Sequence, residues 1–158
     1  MGDPRYQRDL DTVYYSVVLG EILFDAAARS TRTSKDQRMK WLKLKELETQ
    51  TRERLSAFLL AAGLHAREPL TARPFGRVAG ALFGILPWPL SMRLLERGTR
   101  PYLKVFERLE QGAHNENRAF FTYVVAHERA IAEFARRECR GQKGNSLLPV
   151  TRLLQGRY

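Results

Sequence analysis

Apolar residues recur at helical spacing along most of this 158-residue chain, and no stretch alternates between apolar and polar residues with a period of two. A period of about 3.6 residues places apolar side chains on one face of a helix, whereas a half-buried strand needs strict alternation. We therefore predict an all-α fold. The hydrophobic share of 44% is enough for one helical domain, which we expect to cover residues 1–158.

Four long helices are predicted from this period and from the residues that begin and end helices. They cover about residues 3–29, 34–62, 89–111 and 115–140, and a short C-terminal segment follows at about 146–155. Ser34 and Gln37 fit a capping box, and Gly63 fits the left-handed residue after a helix end. Because Pro101 removes a helical hydrogen bond, we expect the third helix to break at about residues 98–101.

Three of the predicted apolar faces carry a glutamate near the middle of the helix. Glu21 lies in the first helix, Glu48 in the second and Glu128 in the fourth. An unpaired buried carboxylate is costly, so each of these side chains needs an explanation. One interpretation is that Glu21 and Glu48 pair with arginines such as Arg52 and Arg129, or that they lie at the edge of the apolar face in contact with water.

The predicted connections are short, long and short. About residues 30–33 and 112–114 join neighbouring helices, whereas the crossover at about 63–88 is much longer than the usual helix connection of about 2–8 residues. Two helical hairpins joined by one long crossover resemble the ferritin-like four-helix bundle. Gly20 followed by Glu21 is similar to the Gly-Glu that opens the metal site in rubrerythrins and demethoxyubiquinone hydroxylases.

This resemblance implies a centre of two iron or manganese ions. The candidate ligands are Glu21, Glu48, Glu107, Glu128 and His127. Ferritin-like metal proteins carry a Glu-x-x-His pair on two helices, but Thr51 and Ile131 occupy the histidine positions after Glu48 and Glu128. His127 is adjacent to Glu128 and points about 100° away around the helix. We therefore expect the carboxylate site to be degenerate.

From the crossover into the start of the third predicted helix run 15 consecutive uncharged residues, 78–92, which is too short for a transmembrane helix of about 20 residues. Arginines flank this segment, a pattern that favours contact with anionic lipid or a hydrophobic dimer contact. The similarity to demethoxyubiquinone hydroxylases, which are membrane-associated, points the same way. The alternative is that the segment packs along its own domain. The residues predicted to form a membrane or partner surface are Arg73, Arg77, Phe83, Leu86, Trp88, Arg93 and Arg97.

The charge balance predicts an acidic neighbour. The chain has 27 Lys plus Arg against 17 Asp plus Glu, a formal net charge of +10. An anionic membrane or a protein partner is favoured over nucleic acid, because no helix-turn-helix spacing, stacking motif or zinc finger accompanies the charge. A homodimer is also expected. The single Cys139 and the polar first residues predict a cytoplasmic location, with peripheral association at the inner membrane face.

Two functions follow from these patterns. The first is a ferritin-like helical protein with a degenerate carboxylate site that binds a lipid-like ligand, a partner or a membrane surface. The second is a di-iron or di-manganese oxidase or hydroxylase acting on a hydrophobic substrate. The sequence leaves open whether the chain is an enzyme. Convergence of the carboxylates within about 4–5 Å would favour the enzyme, and arginines in that space would favour the binding protein.

Overall fold

The computed structural model describes residues 4–64 and 69–157, and these residues form helices and connections without a strand. The helices are α1 (Pro4–Ala28), α2 (Lys35–Ala61), α3 (Ala72–Ile85), α4 (Trp88–Gln111), α5 (Asn115–Cys139) and α6 (Leu148–Leu154). The all-α prediction is confirmed for the described residues. The bounds of the predicted helices lie within about two residues of the observed ones.

The local signals at both ends of α2 are confirmed. Ser34 accepts a hydrogen bond from the backbone N–H of Gln37, and the Gln37 side chain accepts one from the backbone N–H of Ser34. Together they form the capping box, which satisfies two N–H groups that a helix start leaves free. Gly63 has φ of 65°, the left-handed conformation that glycine adopts without a steric penalty.

The four long helices lie side by side around a shared core. α1 packs against α2 and α4, and α5 packs against the same two helices from the other side. α3 lies along α1, while the short α6 covers α5 and α2. Large side chains fill the centre, among them Leu10, Trp41, Leu44, Phe106, Phe121 and Phe134.

Helix α5 is buried around most of its circumference, since α4, α2 and α6 all pack against it. Its buried residues include the neighbours His127 and Glu128, which a single apolar stripe would place on different sides of a helix. The sequence predicts a stripe through Val124, Glu128 and Ile131, and all three are buried. The buried surface of α5 is wider than the predicted stripe, and it includes His127.

The predicted 63–88 connection differs from the observed structure, because most of it is the helix α3. One side of α3 carries Gly76, Gly80 and Gly84, and these glycines lie against the backbone of α1. A Cβ atom at position 80 would come 2.3 Å from the Leu23 carbonyl oxygen, so a larger residue does not fit there. Gly84 lies equally close, since a Cβ atom there would come 2.4 Å from the Ser30 Cβ.

The break predicted at residues 98–101 is wrong, since α4 runs continuously from Trp88 to Gln111 with Pro101 inside it. Proline leaves the carbonyl of Arg97 without its helical donor. Both Arg97 and Pro101 are exposed, so water reaches this side of the helix. The Thr99 hydroxyl also donates a hydrogen bond to the Glu96 carbonyl at 2.8 Å, which satisfies a neighbouring carbonyl.

Candidate functional site

A buried pair of Glu48 and His127 joins α2 to α5. The distance from His127 Nε2 to Glu48 Oε2 is 2.9 Å, and the two side chains are 1% and 5% exposed. This contact links residues 79 positions apart in the chain. A hydrogen-bonded partner of opposite charge is what permits a carboxylate to be buried at this depth.

Glu128 brings a second carboxyl to the same place from the next position on α5. Its Oε2 lies 3.9 Å from His127 Nδ1, which is longer than a hydrogen bond. Nδ1 itself is buried without a hydrogen-bond partner among the described residues. Two carboxyl groups and one imidazole therefore lie together between α2 and α5, and their hydrogen-bonding capacity is only partly used.

Burial controls the ionisation of this group. Loss of water raises the pKa of Glu128 to about 8, an effect that His127 reduces and Glu48 increases. Burial also raises the pKa of Glu48, despite the opposing effect of His127. Burial alone lowers the pKa of His127, but Glu48 and Glu128 together outweigh it and the pKa lies above its ordinary value. Near neutral pH, Glu128 is therefore mostly an uncharged acid.

Gly20 makes room for the Glu48 carboxylate on the α1 side. A Cβ atom at position 20 would lie 2.2 Å from Glu48 Oε1 and 2.7 Å from its Cδ. Even an alanine would therefore displace the carboxylate. The sequence links Gly20 to Glu21 through the ferritin-like resemblance, whereas in the structure this glycine accommodates Glu48.

Glu21 lies apart from this group, in a polar groove of about 650 Å³ between α1, α2 and α3. Its carboxylate accepts hydrogen bonds from Arg52 Nε at 2.7 Å and from the Thr49 hydroxyl at 2.8 Å. Glu107 is likewise held by Arg129 at 2.8 Å. The interpretation of arginine pairing is thus confirmed for Glu21 and applies to Glu107 as well, but it is wrong for Glu48, whose partner is His127.

These contacts do not fit the two-metal centre. Of the candidate ligands, Glu48, Glu128 and His127 lie together, while Glu21 and Glu107 are each engaged by an arginine. Within the described ranges, no group of three or more His, Cys, Asp or Glu side chains is arranged to hold a metal ion. We derive no chemistry through iron or manganese.

A cavity of about 420 Å³ opens beside the buried carboxyls, between α1, α3 and α4. Its wall is mostly apolar and includes Leu23, Phe24, Phe83 and Leu95. Glu48 and Glu128 line it from the α2 and α5 sides. Such a volume lies in the ordinary range of ligand pockets, about 300–1,000 Å³, and an apolar wall with a few polar groups is their usual composition.

The surface predicted around the crossover is only partly formed by the predicted residues. Arg73, Arg77, Arg93 and Arg97 are exposed, and Leu86 is half-buried. Phe83 and Trp88 instead turn toward the core, where both rings contact Trp41. The Trp88 indole donates a hydrogen bond to Glu138 Oε2 at 2.7 Å, so this tryptophan is held inside the protein.

Other apolar residues form the exposed surface. We call it the α3 outer face, and it consists of Phe75, Val78, Leu82 and Ile85 on α3 with Leu90 and Leu94 of α4. Val78 is 62% exposed and Phe75 58%. The spacing of 75, 78, 82 and 85 is that of one helix face, opposite the glycines, and this alternation within the crossover is the signal that could have identified it.

Comparison with known proteins gives no match to a protein family, a curated protein or a solved structure.

Proposed function

We propose that this chain is a ferritin-like four-helix-bundle protein with a degenerate carboxylate site, and that it works by binding at an anionic membrane surface through the α3 outer face. The exposed apolar face of α3 is the observation that carries the membrane proposal. The arrangement of α1, α2, α4 and α5, each beside two others, supports the bundle proposal. The arginine pairs of Glu21 and Glu107 support degeneracy of the metal site.

Helix α3 has the form of an interfacial helix. Its glycine side is fixed against α1, so the helix is rigidly attached to the protein. Its other side presents four large apolar residues to solvent. An exposed apolar surface of this kind is rare in monomeric proteins unless it contacts a partner or a membrane. Within the described ranges, none of the helices has the length and hydrophobicity of a membrane span. The contact we propose is interfacial because the apolar residues occupy one side of α3 only.

The surrounding charge favours an anionic lipid surface over a second protein copy. Arg93 and Arg97 lie on the exposed side of α4 that also carries Leu90 and Leu94, whereas Arg77 lines the polar groove around Glu21. A basic residue near an anionic membrane contributes about 1 kcal/mol. A second copy of the chain carries the same net charge of +10, which opposes association, whereas an anionic membrane attracts it. We therefore propose that the apolar side chains insert into the membrane and that the neighbouring arginines bind the lipid phosphates.

The experiment is sedimentation with vesicles of anionic and of purely zwitterionic lipid. We expect the protein to bind anionic vesicles and to lose most of this binding as salt is raised. Leu82→Asp should weaken binding about tenfold or more, because it places a charge on the inserted face and removes a leucine worth about 1.5–3 kcal/mol when buried. Leu60→Asp is the matched control, since Leu60 is an exposed leucine on α2, outside the α3 outer face.

Two outcomes would contradict the membrane proposal. One is equal weakening by Leu82→Asp and Leu60→Asp, which would make the effect one of charge alone. The other is a wild-type dimer that Leu82→Asp dissociates while vesicle binding stays unchanged. That result would assign the face to a second copy of the chain.

A further inference from the structure

The cavity between α1, α3 and α4 opens on the α3 outer face. Phe75 and Leu94 belong to the face and also line the cavity, so its mouth lies where the proposed membrane contact would be. The exposed Gly98 and the half-buried Ala79 also line the cavity, and so do the buried Glu48 and Glu128. An apolar molecule in contact with this face therefore has a continuous apolar path into the protein.

The inner end of the cavity offers hydrogen-bond acceptors that the protein does not use. The Glu128 side chain is 6% exposed and lines the cavity, and its Oε2 lies 3.9 Å from His127 Nδ1, beyond hydrogen-bond distance. Glu48 accepts from His127 through Oε2, while Oε1 lies in the space left by Gly20. A hydrogen bond contributes about 0.5–1.5 kcal/mol net, so a ligand that supplies a donor here gains about that free energy.

We propose that the cavity binds an uncharged single-chain amphiphile whose hydroxyl head donates a hydrogen bond to Glu128, with the apolar chain lying between α1, α3 and α4. The chain matches the apolar wall, and the hydroxyl matches the unused carboxyl. This site adds to the membrane proposal without depending on it, because a ligand could also enter from water.

The surrounding groups argue against a charged head. An anionic head would approach two carboxyl groups, Glu48 and Glu128, in a site of low dielectric constant. An ammonium head would lose its water, and burial of an ion costs several kcal/mol unless it is fully paired. Glu48 is already paired with His127, so it is a poor partner for a second cation. A hydroxyl needs only one acceptor.

The test is titration calorimetry of the full chain with 1-decanol, decanoate and decylamine. We expect decanol to bind at one site per chain, about tenfold or more tightly than either charged compound. Ala79→Leu should block decanol binding by filling the cavity wall. Ala57→Leu, an exposed alanine on α2, is the matched control and should bind as the wild type does. Circular dichroism checks that both variants are folded.

Variants of Glu128 test the head position separately from the chain. Glu128→Leu should weaken decanol about tenfold, the value of one lost hydrogen bond, whereas Glu128→Gln keeps an acceptor and should stay within about threefold of the wild type. Tighter binding of decanoate or decylamine than of decanol would overturn the proposal, as would decanol binding that Ala79→Leu leaves unchanged. Vesicle binding of Ala79→Leu should stay intact, so failure here is distinct from failure of the membrane proposal.

Discussion

The free energy of unfolding of the wild-type protein is expected to fall as the pH rises from about 5 to 9. Replacement of Glu128 by glutamine is expected to remove most of this fall. Burial raises the pKa of Glu128 to about 8, so the folded protein holds this proton more tightly than the unfolded chain, in which the pKa of a glutamate is near its ordinary value of 4.5. The contribution of Glu128 is fully present below the unfolded pKa and is lost as pH rises through the folded pKa. The loss is about 3–5 kcal/mol.

The groups that face Glu128 determine how strongly the stability of the Glu128→Gln variant still depends on pH. The pKa values of Glu48 and His127 are also raised in the folded protein, so these two groups also make the protein less stable as the pH rises. The Glu128→Gln variant keeps this smaller decrease in stability. Tyr102 titrates above this range, because burial raises its pKa from a value near 10. Urea unfolding at about pH 5, 7 and 9 measures the effect, with the exposed Glu53→Gln as control. Parallel curves for Glu128→Gln and wild type would contradict this account of the site.

Removal of the Glu138 carboxylate by Glu138→Ala is expected to destabilise the protein by about 3–5 kcal/mol. Glu138 Oε1 lies 2.7 Å from Lys40 Nζ, and the two side chains are 0% and 4% exposed. Glu138 also accepts the hydrogen bond from the Trp88 indole. The carboxylate thus joins the starts of α2 and α4 to the end of α5. Without it, a buried ammonium keeps only Asp36, an exposed partner at 2.9 Å.

A double variant separates the cost of a stranded charge from the net value of the ion pair. Lys40→Met with Glu138→Leu removes both charges and retains apolar volume, and such replacements are often neutral or stabilising. We expect thermal and urea unfolding to show that the double variant recovers at least half of the loss caused by Glu138→Ala. A double variant less stable than the single one would show that the ion pair itself is the source of stability.

Much of the fold follows from local signals in the sequence. The ends of α2 are specified by Ser34, Gln37 and Gly63, whose side chains or backbone act within a few residues. The pairing of Glu21 with Arg52 was among the expected alternatives, because both lie near the middle of neighbouring antiparallel helices. Signals that act over one or two turns of a helix can be read without knowledge of the rest of the chain.

The remaining features depend on contacts between distant segments. A helical wheel places His127 away from Glu128, and only the packing of three helices around α5 explains why both are buried. The sequence predicts a connection at residues 63–88, but most of it is helix α3, whose glycines allow it to lie against α1. Its apolar residues then face outward, whereas Phe83 and Trp88, expected on the surface, contact Trp41 inside.

The most direct test of the membrane proposal is the depth of α3 in a bilayer. The single cysteine, Cys139, is exposed, so Cys139→Ser gives a background in which one introduced cysteine carries a nitroxide label. With anionic vesicles, a label at Val78→Cys should become accessible to oxygen and protected from a water-soluble nickel complex. A label at Leu60→Cys should remain in water. If the label at position 78 stays as accessible to nickel with vesicles as without them while the protein sediments with the lipid, another surface binds and the account is contradicted.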